Sequence, residues 1–215
     1  MLSTAKPRVL APEGPLNEGG ESFCLVSLAK KYSTQGFVVI PHEKIPFGPE
    51  LLDLVNRLLE GPKLSVQERG DFERSTLISN GKGNTREGDL LLERIRTSGL
   101  SSFVSACTNW EVEPGDTTLV YYAIGNYLGE HSDSSARLPI VASLIRQAEY
   151  RGPSVLHIKD KATGRFVAPD LGGETWVLLD GTVPHYVSRV PEARRSIALG
   201  FRPVDAVRKE FLGEK

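Results

Sequence analysis

The chain has 215 residues, 40% of them hydrophobic and 25% charged, and its 26 Lys and Arg against 27 Asp and Glu leave a net charge of -1. That length suits one domain with a sizeable core, and the near-neutral balance argues against a dedicated nucleic-acid binder, which carries a concentrated basic surface. No apolar run is long enough to span a bilayer, the stretch Met1–Arg8 lacks the apolar core of a secretory signal, and Cys24 and Cys107 are too few for a disulfide framework, so the expected location is the cytoplasm.

Residues 1–20, rich in Pro and Gly, read as a mobile lead-in. Ser22–Lys31 follows as a short helix with an approximate stripe of Phe23, Leu25, Val26, Leu28 and Ala29, and Gly36 stops it before a strand Phe37–Ile40 closed by Pro41. Pro49 suits the first turn of a second helix. Leu51, Leu52, Leu54, Val55, Leu58 and Leu59 repeat at the helical period, and Gly61-Pro62 is its stop. Residues 63–88 are polar and irregular; they read as a surface loop, with a lid over a site as the functional alternative. Helices are expected over Gly88–Arg96 and Ser101–Thr108.

From Thr117 the pattern changes to short β segments. They are expected at Thr117–Ile124, Leu138–Arg146, Ser154–Lys159, Arg165–Ala168, Thr175–Leu179, Tyr186–Arg189 and Ser196–Phe201, with turns at Asp160–Gly164 and Asp170–Gly173. Strands so spaced suggest a double-sheet jelly roll or barrel. The fold class is α+β: one domain over 1–215, mainly helical support over 21–114, a β core over 115–203 and a tail over 204–215.

The chemistry concentrates in Tyr121–Asp133. Read as one extended strand, this stretch presents His131 and Asp133 on the same face. His185 is available downstream as a third ligand, and two imidazoles with one carboxylate form the facial triad of non-haem Fe(II) sites, with positions left open. Taken singly, a His-x-Asp is as readily a surface pair, and His185 after Pro184 a turn residue; the set is what points to a metal. Arg194 and Arg195 follow, where an acidic co-substrate can be anchored by a guanidinium fork. Alternation lets only one of them face inward. Arg194 is the first choice, with Ser196 and Ala198 on its face, and Arg195 the fallback. His157 and His42 lack such partners and read as a structural or surface histidine and a solvent-facing one; Trp110 and Trp176 read as core.

The set Tyr122-x-x-Gly125-x-x-Leu128-x-x-His131-x-Asp133, with His185 and Arg194-x-Ser196, resembles the Fe(II)/2-oxoglutarate-dependent oxygenases, in their prolyl-hydroxylase-like branch. The resemblance covers roughly residues 115–203, with a looser match at Gly36–Ile40. It implies a double-stranded β-helix with N-terminal helices packed on one sheet, Fe(II) on His131, Asp133 and His185, and 2-oxoglutarate and O2 as co-substrates. It further implies Arg194 and Ser196 at the 2-oxoglutarate carboxylate, Tyr122 as a phenol donor to it (plain core packing being the other reading of Tyr122), and release of succinate and CO2. Related halogenases have a small residue where Asp133 stands, so hydroxylation or another oxidation is favoured here.

The expected substrate is a small molecule, amino acid or peptide-like metabolite, with no nucleic acid and no membrane as partner. Two alternatives stand beside it. One is a nucleic-acid dealkylase, whose paired arginines Arg194 and Arg202 superficially echo; the other is a non-catalytic jelly roll that binds a small ligand. Arg137 and Arg146 are weak candidates for an anionic substrate. Substrate choice is assigned to loops 63–88, 133–138 and 160–173.

Overall fold

Helix α2 (Pro49–Glu60) forms as its leucine row requires, with Leu51, Leu54, Val55, Leu58 and Leu59 buried on one side and Pro49 in the first turn, where a missing N–H is tolerated. This computed structural model describes residues 24–60, 66–69, 72–79, 86–136, 138–147, 154–171 and 175–205. Helix α1 (Leu25–Gln35) lies further along than the expected 22–31. Its buried residues are Leu28 and Tyr32, one turn apart, while Leu25 and Val26 face solvent; Phe23 is outside the described residues. Gly36, whose N–H bonds the carbonyl of Tyr32, is the stop. Helices α3 (Arg86–Thr97) and α4 (Leu100–Thr108) follow close to their expected places.

The strands are β1 (Phe37–Pro41), β2 (Val66–Arg69), β3 (Phe72–Ser79), β4 (Val112–Tyr122), β5 (Tyr127–His131), β6 (Ala142–Gln147), β7 (Leu156–Lys159), β8 (Phe166–Val167), β9 (Thr175–Asp180), β10 (His185–Val187) and β11 (Arg194–Pro203). They pair antiparallel in the order β1-β9-β6-β11-β4-β3-β5-β10-β7-β8, with β2 on β3. β3 pairs with β4 at one end and β5 at the other, so it joins the two halves of the path. The halves face each other, as the inner core shows: Val120 and Tyr122 of β4, Val177 and Leu179 of β9 and Phe37 of β1 pack with Leu156 and Ile158 of β7 and Val187 of β10. The outer face of the β1-β9-β6-β11-β4 half packs on the helices through Ile40, Trp176, Leu178, Leu144, Ile197, Leu199, Phe201 and Leu119. This is a double-stranded β-helix with the helices on one sheet, an α+β fold.

Several expectations change. Residues 63–88 are not one loop, since β2 and β3 lie within them. Their polar sequence gives no alternation; pairing with β4 and β5 decides. Tyr121–Asp133 is not one strand, because the chain turns at Ala123–Asn126 with Gly125 at φ 85, a conformation suited to glycine. β4 is also longer than expected. It starts at Val112 despite Pro114 and Gly115, because it pairs with β11 from Val112↔Pro203 to Tyr122↔Arg194 around a bulge at Gly200/Phe201. Trp176 is core, as expected, but Trp110 is 56% exposed. His42 is not free in solvent: its Nδ1 accepts the Trp176 Nε1–H at 3.1 Å and its ring stacks on Phe47, because β1 pairs with the strand carrying Trp176.

Candidate metal centre

His131 ends β5 and His185 begins β10, and the antiparallel register sets the two Cα positions opposite each other. Their ring centroids are 4.2 Å apart. Each imidazole is held by the same local device: Nδ1 lies 2.8 Å from the Gly129 carbonyl in His131 and 3.0 Å from the Val183 carbonyl in His185. A carbonyl oxygen only accepts, so each Nδ1 carries a proton, and in the neutral ring it is Nε2 that presents the lone pair.

Asp133 lies two residues beyond β5, in a bend, so strand alternation does not orient it. Its Oδ1 is 3.7 Å from Nε2 of His131 and 3.6 Å from Nε2 of His185. One donor atom from each of the three residues lies within 4.8 Å of the others, close enough for one ion to be shared. The segment after Asp133 is tied to the loop before β10: the Ser134 N–H donates to the Gly181 carbonyl at 2.7 Å. Gly181 packs so closely that a Cβ there would stand 2.1 Å from the Ile140 carbonyl oxygen, which only glycine permits. Two distant pieces of sequence are thereby brought to one place.

Burial sets the electrostatics. The side chains of His131 and Asp133 are 32% and 25% exposed and that of His185 only 5%, so the cluster opens to solvent on the His131–Asp133 side. Burial pushes the His185 pKa down, Asp133 opposes this and His131 adds to it. A neutral imidazole is the form that ligates. Two Nε2 donors and one carboxylate oxygen, with solvent access on one side, suit a first-row divalent ion such as Fe(II).

The strand parity of the arginines is as expected. Arg194 is the cross-strand neighbour of Tyr122, its guanidinium carbon 5.5 Å from that ring, on the inner face. Its Nη1 donates to Oε1 of Gln147 at 2.7 Å. Arg195 points the other way, over Tyr121, and donates to the Leu58 carbonyl of α2 at 3.1 Å, a contact that fastens helix to sheet. Ser196 shares Arg194's face, half-buried, between Val120 and Gln147 of the flanking strands. Tyr122 is buried in the inner core. Arg146 is not at the cluster: it donates to Asn56 of α2 and lies over Trp176, on the helix side. Arg137 is outside the described residues. His157 is held by Ser188 and stacked on Tyr186, a structural histidine as expected.

Two polar residues escaped the sequence reading. Ser143 Oγ donates to Oδ2 of Asp133 at 2.5 Å, and Gln147 accepts from Arg194. Both lie on the inner face of β6 with Ile145 between them, about 13 Å of strand apart. Alternation along β6 was the available signal, but a strand alone does not say which face is inner.

No family model matches the chain, and no curated protein matches it in sequence. Solved structures do. A 2OG-Fe(II) oxygenase family oxidoreductase from Burkholderia pseudomallei is similar with TM-score 0.65 at 17% identity, over 88% of this chain and 93% of its own. A prolyl-4-hydroxylase from Pseudomonas putida gives TM-score 0.59 at 19% identity, over 84% and 99%. EctD from S. alaskensis, solved with 2-oxoglutarate and 5-hydroxyectoine, gives 0.60 at 13%, over 87% and 80%. The chain therefore has the fold of the 2-oxoglutarate/Fe(II) oxygenases, with a prolyl hydroxylase among its structural neighbours.

Proposed function

We propose that this protein is an Fe(II)- and 2-oxoglutarate-dependent dioxygenase that hydroxylates a C–H bond of a small molecule, amino acid or peptide-like metabolite. One O2 oxygen would enter the product and the other the succinate formed as 2-oxoglutarate loses CO2. The observation that carries this reading is the convergence of the His131 and His185 Nε2 atoms on Asp133 Oδ1, inside the same β-helix that turns Arg194 inward.

His131, Asp133 and His185 would hold the metal. When bound, Fe(II) supplies the oxygen activation that no side chain can provide. The chain's part is placement. The two backbone carbonyls hold each ring by its Nδ1 and leave both Nε2 atoms aimed at Asp133. Arg194, with Ser196 beside it and the Tyr122 ring against it, is suited to the far carboxylate of the co-substrate, since its fork stays charged on burial. The 13 Å or so of strand between Ser143 and Gln147 separates the two anchor points. That separation favours a co-substrate with an anionic group at each end over a pyruvate-sized 2-oxo acid. The apolar inner face around Val120, Val177 and Val187 keeps bulk water from the buried side.

Of the other readings, the dealkylase loses its echo of paired arginines. Arg202 is eight residues along β11 from Arg194, about 26 Å, beside Glu113 and Gly115 at the other end of the strand. Among the described residues no helix is long and apolar enough to cross a membrane. Cys24 and Cys107 are both free, in keeping with a reducing compartment such as the cytoplasm. Residues 115–203 would form the catalytic core of one domain, with the helices as support.

The test is anaerobic Fe(II) loading of the purified protein, then 2-oxoglutarate and O2, with succinate measured with and without candidate amino acids and metabolites. Stoichiometric iron and substrate-stimulated succinate are expected. A protein that binds no divalent metal would instead be the non-catalytic module.

A further inference from the structure

We propose that Ser143 is a positioning residue that fixes Asp133 as a one-oxygen ligand; this rests on the reading of His131, Asp133 and His185 as a metal site. Ser143 is 3% exposed and stands on β6, which is hydrogen-bonded on both sides, to β9 through Leu179 and to β11 through Gly200. Its hydroxyl is therefore on a rigid support. Asp133 lies outside any strand, in a bend past the end of β5. The contact divides the carboxylate. Oδ2 accepts the Ser143 hydroxyl at 2.5 Å, while Oδ1 stands 3.7 and 3.6 Å from the two imidazole Nε2 atoms.

The division matters because a six-coordinate ion has few positions to spare. Three one-atom protein ligands leave three, enough for a two-toothed 2-oxo acid and one further small molecule. A carboxylate bound through both oxygens takes one of those three. Engaging Oδ2 elsewhere would keep that position open on a bound ion. The same contact restricts the Asp133 rotamer before any metal arrives, as the Gly129 and Val183 carbonyls do for the two rings. All three ligating side chains then have their second polar atom held by a group of the protein.

Cobalt(II), a spectroscopic substitute for Fe(II), is titrated into full-length wild type, Asp133→Ala, Ser143→Ala, Ser143→Thr and Ser143→Val, with circular dichroism on each apoprotein. Thr and Val share one shape and differ in the hydroxyl, and the cross-strand neighbour of position 143 on β11 is Gly200, which has no side chain. Wild type is expected to bind one equivalent and Asp133→Ala none over the same range. Ser143→Thr should keep the wild-type visible band and affinity. Ser143→Val and Ser143→Ala should bind about 10–100-fold more weakly, the usual cost of losing a partner of a ligand, with an altered band. Folded Val and Thr variants with the same affinity and band overturn the role of Ser143 and leave the metal site standing, as does a folded Ala variant that binds like wild type. Wild type without stoichiometric cobalt overturns the site and this proposal together.

Discussion

His131 and His185 face each other across the β5–β10 pairing, and each ring is hydrogen-bonded to a carbonyl two residues before it in sequence. The backbone that pairs the strands thus also fixes the tautomer and aim of both imidazoles. Replacing His131, Asp133 or His185 by Ala is expected to lower metal affinity by more than about 100-fold, beyond the cost of losing an outer partner, and to abolish 2-oxoglutarate turnover. Metal content after dialysis and succinate release measure this. His185 is buried, so its variant needs a melting curve alongside; His131 and Asp133 are partly exposed and should keep the wild-type fold. Full iron loading of the Asp133 variant would contradict the arrangement.

The convergence of the candidate site's side chains was legible where they lie in short, typed spacings. His131 and Asp133 stand two apart, so residue type and spacing pick them out, and Arg194 and Ser196, two apart on one strand, share a face by its period. Strand parity does not orient Asp133, which stands in a bend with its Oδ2 bonded to Ser143. Helix α2 was legible from its leucines, because a helix on a sheet buries one face. Strands β2 and β3 were not, as runs such as Gln67-Glu68-Arg69 carry no apolar alternation and owe their conformation to neighbours far along the chain. Ser143 and Gln147 were invisible for a related reason. A small polar residue in a strand declares a role only once its cross-chain partner is known.

The helical layer makes a prediction that needs no cofactor. Cys107 of α4 is buried and Cys24 exposed, and burial pushes the Cys107 thiol up to about 12. An unfolded thiol titrates near 8.5. Above that pH the unfolded chain releases a proton that the folded chain keeps, so this group's contribution to stability is intact below about 8.5 and falls as pH rises toward 12. At pH 10 the loss is ~2 kcal/mol. A thiol reagent at pH 8 should therefore react quickly with Cys24 only, and with Cys107 after denaturant is added. The urea midpoint of Cys107→Ala should fall less between pH 8 and pH 10 than that of wild type. Two fast thiols in native protein would show that α4 is not packed on the sheet.

The two adjacent arginines should separate into a binding role and a structural one. Arg194→Lys keeps the charge and loses the fork. It is expected to raise the KM for 2-oxoglutarate roughly 10- to 100-fold, the worth of one hydrogen bond to a charged group, with little change in melting temperature. Arg195→Ala removes the bond to the Leu58 carbonyl that joins β11 to α2. It should cost about 1–3 kcal/mol of stability and leave KM near wild type. Steady-state kinetics and urea denaturation on both variants make the comparison. The reverse pattern would mean that Arg195, on the helix face, is the clamp after all.

Gln147 offers the sharpest test of what Arg194 is for. Its Oε1 accepts from the guanidinium Nη1 at 2.7 Å on the buried inner face, a bond of the kind a co-substrate carboxylate would make. Gln147→Glu places a charged carboxylate at that donor, and a buried Arg–carboxylate pair is held more strongly than an Arg–amide bond. The incoming dicarboxylate must then displace an anion rather than a neutral amide. The KM for 2-oxoglutarate should rise about tenfold or more, since each 1.4 kcal/mol of competing interaction is a factor of ten. Metal affinity should be unchanged, because Gln147 is at the far end of β6 from Ser143 and Asp133. Gln147→Met, similar in size but without the amide, should show a much smaller rise. Measured as 2-oxoglutarate titrations at fixed metal, an unchanged KM in Gln147→Glu would mean that the co-substrate carboxylate is held somewhere other than Arg194.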